Sequence, residues 1–210
     1  MNLKFRDFQD LHDLSGFLTR AKRLDEAGLV KLKASGNILG VYVSPIFSGN
    51  LLDSGPTIIG LRTIELAEPS ELDSSFEISA VMERIAGAGE DLELKPPPVT
   101  SRAAWTGVTP PRTDWLAEES VSQEQLTQWA KNGIAEVASS LPDSIGSAIA
   151  QKVRSQIWGK PVGESFQFPA GCAFAMVGLG FMSQGESVSV FSTKGWVRLS
   201  SKHGHVLARV

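Results

Sequence analysis

The residue types able to do covalent or metal chemistry are few and scattered in this chain. It has one cysteine, Cys172, and three histidines, His12, His203 and His205. A metal centre needs several His, Cys or carboxylate ligands converging on one point, and no HExxH or CxxC spacing is present. His203 and His205 can share a strand face, but Ser201-Lys202-His203-Gly204 reads as a hairpin turn, so no metal site is expected. Cys172 falls in the expected first turn of a helix, where the dipole can lower a thiol pKa. Its neighbours Ala170, Gly171, Ala173 and Ala175 are small, which fits a buried packing residue better than a nucleophile. Carboxylates such as Asp53, Glu83 and Glu164 show no spacing that marks an acid–base pair. Gly178-Leu179-Gly180 closes an apolar run, the wrong end of a helix for a phosphate cradle; close helix packing is the expected reason for those glycines. Gly87-Ala88-Gly89 follows a helical pattern rather than a strand and fails as a dinucleotide fingerprint. No catalytic residue, cofactor or metal ligand is assigned, and the reading leans away from an enzyme.

Contact chemistry is better represented. Residues 95–119 hold five of the eleven prolines, in Pro96-Pro97-Pro98 and Pro110-Pro111. Proline fixes φ and donates no backbone hydrogen bond, so an extended, PPII-like arm is expected. Trp105 and Trp115 bracket its second half with Arg112 between them, and these three are the candidate interaction residues. In one version the arm clamps the chain's own two halves. In the other it docks a second copy or a different protein partner. Residues 187–210 hold Lys194, Arg198, Lys202 and Arg209 and no Asp or Glu. A solvated strand face is the simpler reading and nucleic-acid contact the sharper one. A net charge of −3 over 210 residues does not call for a polyanionic partner, so nucleic-acid binding is not expected.

The elements that must position these residues predict an α+β fold with antiparallel sheets. Phe8, Leu11, Leu14, Leu18 and Ala21 recur at helical spacing, predicting a helix over 8–27 with Asp7 as N-cap and Gly28 as its stop. Strands are expected at Leu29–Ala34, Ile38–Phe47 and Thr57–Leu66, the second buried on both faces. The intervening loop carries Leu51 and Leu52 at its tip. A short strand at Phe76–Ile78 and a helix at Ser79–Ala86 follow. Ser122 and Gln125 form a capping box ahead of Leu126, Trp129, Ala130, Gly133, Ile134 and Val137 at helical spacing. Pro142-Asp143 restarts a second helix with an Ile145, Ile149, Val153, Ile157 stripe, and Pro169 opens a third. The alternation at 187–192, with Gly195 and Gly204 as punctuation, predicts a three-stranded C-terminal meander. The expected organisation is an N-terminal α+β lobe at 1–94, the arm at 95–119, and a helical lobe with the meander at 120–210, the whole also readable as one compact domain.

A cytoplasmic, reducing setting is expected. One cysteine cannot form an intrachain disulfide, Met1 to Asp7 carries charges and no apolar stretch, and Ala170–Met182 is too short to span a bilayer. Four segments, Trp105 to Trp115, Pro169 to Ala175, Gly195 to Leu199 and Gly204 to Arg209, together resemble a family of uncharacterised actinobacterial proteins. The resemblance implies a bacterial cytoplasmic setting and no activity. The leading functional reading is a non-catalytic binding or interaction protein. The alternatives are an enzyme or small-ligand binder with a site between the two halves, and a winged-helix-like DNA-binding protein. The last is weak because the third helix offers no polar side chain to base edges.

Overall fold

A computed structural model describes residues 2–47, 55–107, 109–141 and 146–210. The fold is α+β with antiparallel strand pairing. The chain divides into two compact units, one of Met1–Pro45 with Leu61–Gly107, the other of Ile46–Gly60 with Val108–Val210. No described helix is long and apolar enough to cross a membrane.

In the first unit β1 (Leu3–Lys4) leads into α1 (Phe8–Leu24). The Asp7 carboxylate caps α1 by accepting from the Asp10 amide at 2.9 Å. Leu11, Leu14, Phe17, Leu18 and Ala21 are its buried stripe, whereas Phe8 is 60% exposed. The helix ends at an extended Asp25 rather than at Gly28, whose carbonyl instead accepts from Ile78. β2 (Leu29–Ile46) is one continuous strand where two were expected. The apparent break at Ser35-Gly36-Asn37 is a single left-handed glycine, Gly36 at φ +58°, which redirects a strand without ending it. Leu39, Val41 and Val43 are buried and Ile38 is half exposed, so this stretch alternates instead of being buried on both faces. β3 (Thr57–Glu77) runs through the expected short strand, and α2 (Ile78–Ala86) begins directly after it. Residues 67–74 are exposed or half-buried and carry no alternating apolar signal. Asp73 holds Lys31 and Lys33 at 2.8 and 3.1 Å, and Glu71 accepts from the Gly36 amide. β4 (Glu93–Leu94) pairs with β1. Residues 95–103 then run without regular structure to a 3-10 turn at Ala104–Gly107. The tip residues Leu51 and Leu52 lie outside the described residues, as do Pro142, Asp143 and Ile145.

In the second unit β5 (Leu116–Ala117) and β6 (Val121–Ser122) precede α3 (Gln123–Ser140). Both reciprocal bonds of the Ser122–Gln125 capping box are made. α4 (Ser147–Trp158), β7 (Pro161–Val162), β8 (Phe168–Pro169) and α5 (Ala170–Gly178) follow, then β9 (Ser187–Thr193), β10 (Trp196–Ser201) and β11 (Gly204–Arg209). Within this unit the strand order is β11-β10-β9-β5, with β6 also on β9. The predicted meander is therefore present, with the turn at Lys202–His203 in place. α5 is buried nearly throughout and ends in a Schellman motif: the Phe181 amide reaches the Met176 carbonyl and the Gly180 amide that of Val177. Gly180 at φ +72° thus serves chain reversal, not the helix packing expected of it. Helix packing does explain Gly133 of α3, where a Cβ would fall 2.2 Å from the Trp158 ring. Ile134 and Ile149, expected on apolar stripes, are 50% and 56% exposed.

Candidate interaction surface

The register of the meander sorts its side chains by face, since residues directly opposite in an antiparallel pair point the same way. Val197, Leu199, Val188, Val190, Val206 and Ala208 fall on one face and are buried. The other face carries Phe191, Arg198 and Leu207 in one cross-strand row, and Ser189, Ser200 and His205 in the next. All of this second row and all but Leu207 of the first are at least partly accessible.

Arg198 is the centre of this face. Its side chain lies over Phe191, the guanidinium carbon 4.4 Å from the ring centroid, and reaches the Trp115 ring at 4.7 Å. Trp115 is placed for this by its own segment: the indole Nε1 donates to the Pro111 carbonyl at 3.1 Å, and the following residues form β5 against β9. Cation–π contact of this kind stabilises by roughly 0.5–2 kcal/mol per ring. No carboxylate among the described residues is in ion-pair range of Arg198, and its Nε is buried with no hydrogen-bond acceptor. Partial burial pulls its pKa below the usual guanidinium value. His205 donates to or accepts from Ser200 Oγ at 2.9 Å, and its pKa is lowered by burial first and by the nearby Arg198 charge second.

Of the three residues expected to make contacts, the structure brings only Trp115 into a cluster. Arg112 is exposed, and Trp105 is a buried core residue of the 3-10 turn in the first unit. The arm accordingly holds a 3-10 turn and a short strand in place of uniform PPII. Leu116, which follows Trp115 and pairs with Ser192, is 68% exposed on the other face of the sheet. In the sequence, Arg198 is only one of four basic residues of 187–210. These four do not act together: Lys202 pairs with Glu186, Arg198 is stacked, and Lys194 and Arg209 are exposed at strand ends. What sequence could have offered was the alternation itself, which puts Phe191 and Arg198 opposite once the Gly195 turn fixes the register.

Two other features bear on chemistry. A cavity of about 110 Å³ opens beside Trp129 and Phe166, with Glu119 and Glu164 at its lining. Cys172 is fully buried, and burial drives its thiol pKa far above the ordinary value, the reverse of an activated nucleophile. No group of three or more His, Cys, Asp or Glu among the described residues is arranged to hold a metal.

Residues 1–107 match the model of a domain of unknown function (DUF8010), and residues 110–210 that of another domain of unknown function (DUF8185). No curated protein matches the chain. Among solved structures, all of the chain aligns with 64% of a protein described as a DNA polymerase III beta subunit from Eubacterium rectale (TM-score 0.57, 11% identity). It aligns likewise with 64% of the DNA polymerase III subunit beta from Pseudomonas aeruginosa (TM-score 0.53, 11% identity). The Helicobacter pylori beta clamp bound to a DNA ligase peptide is matched over 66% of its length (TM-score 0.50, 10% identity). The fold is thus similar to that of the beta clamp, and the chain spans less than two thirds of those proteins.

Proposed function

The chain belongs to the DUF8010 family, and from that premise we propose that it is a non-catalytic interaction protein that uses a clamp-like fold to hold a protein partner or a second copy of itself. The observation that carries this reading is the Trp115–Arg198–Phe191 stack on the β9–β10 face. Aromatic residues and arginine dominate the energetics of protein interfaces, and here they stand together on an accessible sheet face. The beta clamp of similar fold was crystallised with a peptide of another protein, which supports a peptide or protein as occupant. A bacterial, cytoplasmic setting with the buried thiol kept reduced belongs to the same reading. The family resemblance read from sequence extends it to actinobacteria.

A photo-crosslinking residue placed at Ser189, exposed in the row next to Phe191 and Arg198, tests it in the native host. The expected result is a discrete adduct to one protein, or to a second copy, that is lost when Phe191→Ala is added. Adducts no stronger than those from the exposed Lys131 on α3 would sink the reading. A second reading, binding of a small molecule, rests on the cavity beside Trp129. It is tested by a thermal-shift screen of metabolites, in which Trp129→Phe should weaken any hit.

A further inference from the structure

The stack also specifies what kind of side chain the partner brings, an inference that rests on the interaction reading above. We propose that Arg198 is the receptor for a carboxylate of an acidic protein segment that docks on the β9–β10 face beside Trp115. Two rings lie against the guanidinium, so its N–H donors are left to point sideways, in its own plane. A guanidinium presents those donors as a fork that matches the two oxygens of a carboxylate. Among the described residues, nothing supplies that carboxylate. Arg198 has no ion pair, whereas Lys31, Lys33, Arg62, Lys160 and Lys202 each have an acidic partner in the same structure.

The neighbouring acids are committed elsewhere or absent. Glu118 accepts from Ser192, which register places on the opposite face, and Asp114 accepts from Thr113. The remaining members of the row and its neighbour are Leu207, Ser189, Ser200 and His205, so no fixed negative charge opposes an incoming acid there. A polyanion such as nucleic acid needs several cations spaced along its phosphates. This face offers one oriented guanidinium and the end-of-strand Arg209, on a chain of net charge −3. A single planar carboxylate is the better complement.

Nuclear magnetic resonance on the intact, nitrogen-15-labelled protein tests this. The Arg198 Nε–H signal, assigned by its loss in Arg198→Lys, is followed while capped tetraglutamate, capped tetraglutamine, inorganic phosphate or a single-stranded oligonucleotide is added. Tetraglutamate is expected to move it saturably downfield, roughly tenfold more tightly than tetraglutamine, with the Trp115 indole N–H moving in parallel. The Arg209 Nε–H should respond weakly. In Arg198→Lys, which keeps the charge and loses the fork, the Trp115 response should fall by a similar factor. Arg198→Met should abolish it. A larger response to phosphate or to the oligonucleotide overturns the proposal in favour of a phosphate ligand, and no response to any of them overturns it outright. If the probe at Ser189 crosslinks to a partner while tetraglutamate leaves Arg198 unmoved, the surface is an interface and only the acidic chemistry is wrong.

Discussion

An arginine Nε that is buried without an acceptor has given up a hydrogen bond that water supplied in the unfolded chain, at a cost of about 1–3 kcal/mol. The two rings against Arg198 offset part of this. Arg198→Met removes the orphan donor and keeps an unbranched stem and a sulfur that also favours ring edges. We expect it to leave the urea unfolding free energy unchanged or to raise it by up to about 1 kcal/mol. A loss of more than about 2 kcal/mol would mean that Arg198 is held for stability. Trp115→Ala, which strips one wall of the stack, should by contrast cost about 1–3 kcal/mol. His205 gives a pH signature at the same face. Its folded pKa lies below the ordinary 6.5, so between those two values the unfolded chain binds the proton and the folded one does not. Stability is therefore complete above about pH 7 and is lost as pH falls through the unfolded value. Melting curves at pH 7.5 and 5.5 should show a lower Tm at 5.5. His205→Gln should shrink that difference; an unchanged difference would place the titrating group elsewhere.

Among the elements, the α3–α4 contact turns on one glycine. Alanine is favoured over glycine inside a helix by about 1 kcal/mol, yet a Cβ at Gly133 would lie 2.2 Å from the Trp158 ring. The ring would have to move, and overpacking of this kind costs about 1–3 kcal/mol. Gly133→Ala should therefore destabilise the protein in thermal melts, against its helix propensity. A gain in Tm would show that Trp158 has room to shift. Elements with a period or a cap were legible in the sequence: α1 with Asp7, α3 with its Ser122–Gln125 box, and the meander with its two glycine turns. Strand length was not. Residues 67–75 of β3 are polar on both sides and owe their extended form to neighbours on β2, such as Lys31, Lys33 and Gly36, a tertiary cause that no local window contains. The candidate site was half legible for the same reason. Trp115 stood out by type, but its link to Arg198 is made across strands far apart in sequence.

At the scale of the whole molecule, sequence families and compact units divide the chain differently. The family models meet near residues 107–110, while the second unit also takes in residues 46–60. Within that unit, the small size of Gly171 makes room for Ile46 and Ile58, which lie 2.8 and 3.1 Å from where its Cβ would be. A fragment of residues 108–210 lacks both isoleucines and the first strand residues of β3. It should expose apolar surface, bind a hydrophobic dye and aggregate, and the full chain should do neither. Joining residues 46–60 to that fragment through a flexible linker should restore a cooperative melt. A soluble, cooperatively melting 108–210 fragment would contradict this.

The placement of Ile46 and Ile58 also sets a timetable at the ribosome. They are synthesised early, but the helix they pack against, with Gly171 in its first turn, comes late in the chain. At translation rates of about 5–20 residues per second, that interval is on the order of ten seconds. Through it the nascent chain carries two isoleucines with no α5 to cover them. A stretch of this kind is where a ribosome-bound chaperone would engage the growing polypeptide, and where a slowed or stalled ribosome would do most damage to the yield of native protein.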